Sequence, residues 1–374
     1  MTASIPSEYL VNLTDDNGNI VDSLQDFITL DLSRKVNEIT SMELVLPDTV
    51  NFEDLVPDNR IEISRSVDGG VFEFLTDTVW VIRSRSKRLF GSERTFAVEC
   101  VPAIELLQRR IVDFATGTSQ SSKTKNADSM MVEIVSENFG ATATGTGRDI
   151  SSVFVTISAA NTAPQISKDF AWRNVLSVLR EISETSSRLG TDLFYDVTYN
   201  KVLKVMEFRT YLGQRGTDRG SSSGTNKLTL SGELNTLTNI NLEYDYFDEI
   251  NYVRALGQGE ESNRLTSTNQ DNTRINFSTY NRREFARDIR NVSDTTILSN
   301  EAESRVYDGR PRVRFEAIIQ DTLATKFQRD WDFGDKVVAS FDDISFDAWI
   351  NSLRINIAAG RETVSGRLRS IIDL

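Results

Sequence analysis

Short runs of alternating apolar and polar residues recur about every ten residues through the first hundred residues of this chain. Turn residues separate them, as at 15–19 and 68–70. Short strands at this spacing are typical of a β-sandwich or a β-barrel, in which each strand buries one face. The pattern therefore predicts a mainly β fold. The runs cover residues 9–13, 27–32, 42–46, 61–65, 71–75, 79–82 and 95–101.

A different pattern follows this first strand set. Helical spacing of apolar residues predicts one helix after Pro102 and a second over residues 171–189, which ends at Gly190. The polar residues 116–129 are predicted to form a loop. Short strand patterns lie between these segments. Together they predict an α+β insertion at 103–202.

Strand patterns resume after the insertion. The segment 213–226 has four glycines and no large apolar residue, so we predict that it is flexible. Residues 258–274 are predicted to be a polar loop, and residues 297–307 a short helix. The remaining strands are predicted at 194–197, 202–208, 228–230, 237–246, 252–257, 313–319, 336–341, 348–357 and 363–372.

Composition excludes several kinds of site. None of the 374 residues is His, which excludes Ser-His-Asp and Cys-His catalysis and any imidazole metal ligand. Cys100 is the only Cys, which excludes an internal disulfide. The net charge of −13 argues against a protein that coats nucleic acid. No apolar run reaches the ~18 residues of a membrane-spanning helix, and the first ten residues lack the features of a secretory signal.

A cluster of acidic residues is the main candidate for catalysis. An enzyme without His would need carboxylates, as in a two-carboxylate glycosidase. The cluster surrounds aromatic residues, as in a sugar-binding cleft, but two of its members are two residues apart on a predicted strand. That spacing is typical of a solvated strand face. The acidic residues are Glu243, Asp245, Asp248 and Glu249, around Tyr244, Tyr246 and Phe247.

Two groups of acidic residues could bind a hard cation. Asp342, Asp343 and Asp347 offer carboxylates, and a turn between strands explains them equally well. Residues 15–19 resemble the start of a calcium loop, but the glycine that such a loop requires would fall at Ile20. We therefore interpret residues 15–19 as a hairpin tip. The sequence predicts no catalytic, cofactor-binding or metal-binding residue.

Three cationic residues share a strand face by the two-residue period, namely Arg83, Arg85 and Lys87. A basic strand edge can dock an acidic partner, or it can prevent edge-to-edge aggregation. We interpret this face as solvated and keep docking as the alternative.

Three sets of strand-and-turn segments follow one another along the chain. They are 31–47, 60–70 and 81–83; then 237–245 and 250–257; then 282–284, 331–337 and 361–364. Taken together and in this order, they resemble the hub proteins at the tip of long-tailed bacteriophage tails. The same family occurs at the amino end of tail-associated lysins and is related to the baseplate hub of contractile tails. The resemblance spans most of the chain, but the insertion has no motif that matches the family closely.

The resemblance implies a trimer in which each chain contributes two tube-like β-barrels. The first barrel would comprise residues 1–102 with about 203–245, the insertion 103–202 would form an accessory lobe, and the second barrel would comprise residues 246–374. Three chains would then present six similar modules to a sixfold tail tube. Because some relatives carry a further lysin or fibre, we expect that this chain, which ends at Leu374, lacks one.

The function implied by the resemblance is structural. The chain would be a virion protein of the tail tip or baseplate that takes part in host infection and forms part of the DNA ejection channel. It would be assembled in the bacterial host cytoplasm, and it would have no enzymatic activity and no cofactor. Its expected partners are two further copies, the distal tail protein ring, the carboxyl end of the tape-measure protein and a receptor-binding fibre or tip protein. DNA would pass without specific binding. The alternatives are a carboxylate-dependent cell-wall glycosidase and a host-surface adhesin that binds glycans.

Overall fold

The fold is mainly β, as the sequence predicts. The computed structural model describes residues 7–113, 120–322 and 325–373, with side chains as far as Ser370. Its strands, numbered in chain order, are β1 (Glu8–Thr14), β2 (Ile20–Ser23), β3 (Thr29–Lys35), β4 (Met42–Pro47), β5 (Arg60–Ser66), β6 (Glu73–Phe74), β7 (Trp80–Phe90), β8 (Glu93–Pro102), β9 (Ser121–Asn126), β10 (Phe154–Thr156), β11 (Gln165–Phe170), β12 (Leu193–Asn200), β13 (Val205–Leu212), β14 (Asp218–Arg219), β15 (Thr229–Ser231), β16 (Leu237–Asp245), β17 (Tyr252–Leu256), β18 (Thr266–Gln270), β19 (Glu284–Asp288), β20 (Arg312–Gln320), β21 (Lys336–Phe341), β22 (Ile344–Ala358) and β23 (Arg361–Asp373).

The helices lie mostly in the insertion and in the second half of the chain. The α-helices are α1 (Ala127–Phe139), α2 (Val175–Arg188), α3 (Asn272–Ile275) and α4 (Thr295–Asp308). Short 3-10 helices lie at Phe52–Asp54, Leu75–Asp77, Ala103–Arg109, Gly224–Asn226 and Glu261–Asn263. Among the described residues, no helix is long and apolar enough to cross a membrane.

The chain divides into two compact units. Unit 1 comprises Met1–Asn239 and Ala317–Leu368, and unit 2 comprises Ile240–Glu316 and Arg369–Leu374. The division expected from the resemblance, at 1–102 with 203–245, 103–202 and 246–374, has different boundaries and stays a prediction. The smaller unit interrupts the larger one in the sequence.

The large sheet, most of whose strands belong to unit 1, is made of two halves. Its central path runs β16-β20-β23-β22-β3-β4-β8-β7-β5-β1-β2, and the antiparallel pair of β22 and β3 joins the halves. One half contains the eight strands β1–β8, and the other contains β14–β16 and β20–β23. In the described part of the chain these strands form an open sheet. The two closed barrels implied by the resemblance therefore stay a prediction.

Alternating burial explains the register of the central strands. Leu30 and Leu32 of β3 are fully buried and pair with Leu44 and Met42 of β4, which are also buried. Each such side chain contributes roughly 1.5–3 kcal/mol to folding. A slip of one residue would turn this apolar face toward water, so the pattern fixes the register.

The insertion forms an α+β layer with its own core. The small sheet β10-β13-β12 and helices α1 and α2 enclose it. The predicted second helix is confirmed as α2, which Asn174 caps by accepting a hydrogen bond from the Ser177 amide at 3.2 Å. After this helix Gly190 has φ +85°, in the left-handed region that favours glycine. The first predicted helix is a 3-10 helix, Ala103–Arg109.

Three loop predictions are wrong in part. Of the predicted loop 116–129, residues 116–119 lie outside the described residues, Ser121–Asn126 form β9 beside β11, and α1 begins at Ala127. The supposed flexible segment 213–226 contains β14, which pairs with β21. Residues 258–274 contain β18 and the start of α3. In each case long-range pairing ordered a polar segment that local composition assigns to a loop.

Unit 2 packs one helix against a three-stranded sheet. The sheet order is β18-β17-β19, with β17 and β19 parallel. Helix α4, predicted at 297–307, buries Leu298, Ala302 and Val306 against Val253 and Ala255 of β17. Ile250, which packs against this small core, follows directly on Asp248 and Glu249 of the acidic cluster.

Candidate functional site

The acidic cluster of unit 2 is neutralised mainly by arginines. Asp245 lies at the end of β16, where its carboxylate is 3.0 Å from the Arg314 guanidinium. The same guanidinium lies 3.9 Å from the carboxylate of Glu243, which is exposed. These two residues thus behave as a solvated strand face with a shared cation.

Glu249 is the buried anchor of the loops in unit 2. Its Oε1 accepts hydrogen bonds from Arg274 Nε at 3.1 Å, Asn281 Nδ2 at 3.0 Å and Asn251 Nδ2 at 3.3 Å. Asn251 Oδ1 in turn accepts from the Arg283 amide at 2.8 Å. Because these donors already use the carboxylate, we assign Glu249 to holding the loops in place.

A cavity of about 600 Å³ adjoins this cluster within unit 2. Acidic and arginine side chains make up most of its wall, so it offers polar contacts of both signs. Phe247 and Tyr280 project from the neighbouring loops and are almost fully exposed. The cavity is lined by Asp245, Asp248, Glu249, Ile250, Arg305, Asp308, Arg310, Arg312 and Arg314.

The structure does not bring the candidate cation ligands together. Asp347 lies 3.2 Å from the Lys336 ammonium and accepts a hydrogen bond from the Ser221 amide at 2.8 Å. Asp342 and Asp343 form the turn between β21 and β22. The described residues contain no group of three or more potential metal ligands.

Residues 15–19 form the tip of the β1–β2 hairpin, as interpreted from the sequence. Asp15 Oδ1 accepts hydrogen bonds from the amides of Asn17 at 2.9 Å and Asn19 at 2.7 Å. The hydrogen bonds from Asn19 lower the pKa of Asp15. The carboxylate therefore closes the turn.

The predicted cationic face of β7 is divided by a β-bulge. The register shifts between Ile82 and Ser84, which leaves Arg83 as the extra residue. Arg83 pairs with Asp58 at 2.8 Å. Arg85 and Lys87 both lie over the ring of Phe52, at 4.5 Å and 4.3 Å from its centroid. The single face expected for all three cations is therefore wrong for Arg83.

The β7–β8 hairpin beyond the bulge is the strongest candidate for an assembly surface, and we call it the arm (residues 83–95). Strand β5 pairs with β7 only at Trp80 and Val81, so no strand among the described residues covers the other edge of the arm. At the tip, Leu89 is 65 % exposed and Phe90 is 90 % exposed. An open strand edge with large apolar residues is a site where another chain can add.

A buried ion cluster that the sequence analysis missed holds the insertion to the large sheet. Asp196 of β12 accepts hydrogen bonds from Arg34 of β3 at 2.6 Å and from Arg215 at 2.8 Å. Burial raises the pKa of Asp196, but the two guanidiniums outweigh it and hold the pKa below its usual value. One feature of the sequence could have indicated this cluster. Arg34 is an even number of residues from Leu30 and Leu32, so it lies on the same apolar face of β3.

The segment 331–337 lies beside this cluster, and its two aromatic side chains are buried. Trp331 and Phe333 are buried, and both guanidiniums of the cluster lie over the Phe333 ring, at 5.2 Å and 4.8 Å from its centroid. Gly334 has φ +87° and makes the turn into β21. Asp335 accepts hydrogen bonds from the Thr217 amide at 2.7 Å and Arg219 Nε at 3.0 Å. These bonds hold β14 beside β21.

Solved structures of tail proteins share this fold. The tail protein of Neisseria meningitidis MC58 superimposes with a TM-score of 0.56 and 12 % identity, over 97 % of both chains. The 43 kDa tail protein of prophage MuSo2 from Shewanella oneidensis gives a TM-score of 0.55 and 8 % identity, over 96 % of this chain and 98 % of that one. A Francisella PdpA–VgrG complex gives a TM-score of 0.54 and 12 % identity, over all of this chain and 53 % of that one. No curated protein matches by sequence.

These likenesses define a fold that occurs in phage tail proteins. The family described as Siphovirus ReqiPepy6 Gp37-like protein matches residues 10–366. The chain belongs to this family. The resemblance to phage tail-hub proteins that the sequence indicates is thereby confirmed.

Proposed function

We propose that this protein is the tail-tip hub of a long-tailed phage. Three copies would form a ring that adapts the sixfold tail tube to a threefold tip, and the ring would form part of the channel through which DNA is ejected. In this proposal the chain has no catalytic role, no cofactor and no resident metal.

The observation that carries this proposal is the two-part large sheet. Its halves come from separate parts of the chain, β1–β8 on one side and β14–β16 with β20–β23 on the other, and they meet at the pair of β22 and β3. If each half rolls into a tube-like barrel, one chain supplies two modules. Three chains then supply six, which is the number of subunits that a sixfold tube presents.

The exposed arm supports assembly through strand edges. Monomeric proteins protect long strand edges because unpaired amide and carbonyl groups recruit other chains. From Arg83 to Phe90, one edge of β7 is instead left uncovered by any described strand. We propose that this edge is covered in the assembled tail tip.

The charge of the chain suits a conduit for DNA. A net charge of −13 repels a polyanion, so DNA would pass the wall without being retained. The charge is that of the whole chain, and we assign no residue to the channel.

The partners follow from the position in the tail. We propose that one face of the ring meets the distal tail protein ring, and that the carboxyl end of the tape-measure protein and a receptor-binding fibre or tip protein meet the others. Assembly would take place in the cytoplasm of the bacterial host.

Native mass spectrometry of the purified chain, alone and co-expressed with the distal tail protein of the same phage, tests this proposal. We expect a species of three times the chain mass, either alone or on the ring of its partner. A chain that stays monomeric in both samples would contradict it.

A further inference from the structure

The cavity of about 600 Å³ in unit 2 has a wall of balanced charge. Among the described residues that line it, four are acidic and four are arginines, and the remaining one is Ile250. A ligand with a net charge of either sign would meet both attraction and repulsion there, so the wall suits a neutral polar ligand. The volume lies within the roughly 300–1,000 Å³ that is usual for ligand pockets.

Two side chains of this wall are accessible to solvent and keep hydrogen-bonding capacity. Asp248 is exposed, and its carboxylate takes part in no ion pair among the described residues. Arg314 is half-exposed and pairs through Nη2 with Asp245 at 3.0 Å, whereas its Nη1 lies 3.9 Å from the Glu243 carboxylate, beyond hydrogen-bond distance. A carboxylate accepts and a guanidinium donates, so a ligand with hydroxyl groups, which do both, matches this wall.

Exposed aromatic side chains lie beside the polar wall. Phe247, which directly precedes Asp248, is 90 % exposed. In the neighbouring loop, Phe277 is 70 % exposed and Tyr280 is 91 % exposed. Rings that are this exposed add little to the core, and several of them on adjoining loops indicate an interaction site.

The loops that carry these rings are held together by the buried carboxylate of Glu249. It accepts hydrogen bonds from Arg274 at 3.1 Å and from Asn281 at 3.0 Å. The Arg274 guanidinium also lies 4.9 Å from the centroid of the Phe277 ring and 5.5 Å from that of Tyr246. This network positions the loops before a ligand arrives, which reduces the entropy that binding costs.

Saccharides combine the two kinds of surface that this site offers. One face of a pyranose ring presents C–H groups that pack on an aromatic ring, and its edge carries hydroxyl groups that donate and accept hydrogen bonds. We propose that the cavity of unit 2 binds a short neutral saccharide, which stacks on Phe247 and forms hydrogen bonds with Asp248 and Arg314. The site lies within unit 2 of a single chain, so the inference does not depend on the proposed trimer.

A polypeptide partner is the competing occupant of this surface. The aromatic anchors of protein interfaces are typically enclosed in pockets from which water is excluded. Here Phe247 instead borders charged groups that line an open, polar cavity. The observations therefore favour the saccharide, and the experiment below separates the two occupants.

Isothermal titration calorimetry of the full chain tests the inference. The neutral probes are maltotriose, cellotriose and chitotriose, and trigalacturonate is the acidic control. We expect at least one neutral trisaccharide to bind saturably at millimolar concentration, and trigalacturonate to bind at least about tenfold more weakly because its charges lose hydration beside the carboxylates. The proposal is overturned if none of the neutral probes binds, or if trigalacturonate binds as tightly as they do.

Variants test the position of the site. Phe247→Ala should weaken the neutral saccharide about tenfold through the loss of stacking, and Asp248→Ala about ten- to a hundredfold through the loss of a hydrogen bond to a charged group. The matched controls are Phe90→Ala, which is equally exposed on the arm, and Asp343→Ala, which is exposed in the turn between β21 and β22. Both controls should leave the affinity unchanged.

Two results would refute the assignment. Unchanged affinity for the saccharide in both Phe247→Ala and Asp248→Ala would show that the site lies elsewhere. If no trisaccharide binds and Phe247→Ala instead weakens binding of the co-expressed distal tail protein in sedimentation, the rings belong to a protein interface.

Discussion

At the residue scale, the cluster of Arg34, Asp196 and Arg215 is the most consequential group of charges. All three side chains are almost completely buried, and one carboxylate serves two guanidiniums. If the shared carboxylate is removed, two buried cations lose their counter-charge. The free-energy cost of that loss exceeds what the intact group contributes to the stability of the fold. The cluster therefore matters for the specific arrangement of β3, β12 and the segment after β13.

We expect Asp196→Asn to lower the free energy of unfolding by about 3–5 kcal/mol, because two buried guanidiniums lose their shared charge. The matched control is Asp31→Asn, which removes an exposed pair with Arg354 and should cost less than about 1 kcal/mol. Urea denaturation measures both. Equal losses in the two variants would show that the buried cluster has no special role.

A second residue-scale prediction concerns pH. Burial, together with the nearby carboxylates of Asp77 and Asp335, raises the pKa of Asp332 to about 7, against the opposing effects of the Phe333 amide and Arg215. The native state therefore keeps a proton that the unfolded state loses near pH 4, so this residue makes the protein less stable as pH rises from about 4 to about 7.

Asp332→Asn removes this titration and retains an oxygen that can accept from the Phe333 amide. We expect the melting temperature of the variant, relative to the wild type, to rise between pH 4.5 and pH 8. Groups whose pKa is lowered in the native state, such as Glu362, make both the variant and the wild type more stable as pH rises. Because this effect is the same in both proteins, it cancels in the difference between their melting temperatures. A difference that stays constant with pH would contradict the argument.

At the element scale, the turn before β21 depends on one glycine. Gly334 has φ +87°, and a Cβ there would lie 2.9 Å from both Cβ and Cδ of Arg215. Gly91, at the tip of the arm, has φ +63° and open space around its Cα.

We expect Gly91→Ala to cost about 1–2 kcal/mol for the left-handed backbone alone, and Gly334→Ala to cost more because it also displaces Arg215. Thermal denaturation of the two variants provides the comparison. A larger loss for Gly91→Ala would show that the contact with Arg215 is readily relieved.

Substitutions at the tip of the arm should weaken assembly without affecting the stability of the isolated chain. Leu89 and Phe90 are exposed, so the double change to Ser should alter the free energy of unfolding of the isolated chain by less than about 0.5 kcal/mol. We expect the same variant to weaken self-association or binding to tail partners at least tenfold, as measured by sedimentation. The control is Val202→Ser with Leu203→Ser, an exposed apolar pair in the β12–β13 turn.

The elements also show what local sequence could and could not predict. The alternation of apolar and polar residues correctly predicted strands in the first hundred residues. The helical spacing of apolar residues, with Gly190 at the end, correctly predicted α2. Residues 213–226 were wrongly predicted as flexible, because Asp335 and β21, more than a hundred residues later, hold that segment in place. A periodic pattern also carries no sign of a β-bulge, so Arg83 was placed on the wrong face.

The candidate sites, like the strands and helices, could be predicted only in part. The sequence identified Glu243 and Asp245 and favoured a solvated face, which agrees with their pairing to Arg314. It gave no indication of the cavity of about 600 Å³ beside this cluster, because Arg305, Arg310 and Arg312 come from a part of the chain that only the fold brings next to Asp248.

At the scale of the whole molecule, the central claim is that one chain supplies two comparable modules. The two halves of the large sheet support it, and the chain belongs to a siphovirus protein family. Solved structures share the fold at 8–12 % identity, so one architecture accommodates very different sequences.

Electron cryomicroscopy of the intact tail tip tests this claim most directly. We expect three copies of the chain arranged as a ring, with six similar β modules in register with the six subunits of the tube above. Six copies in the ring, or three copies that each present one module to the tube, would contradict it.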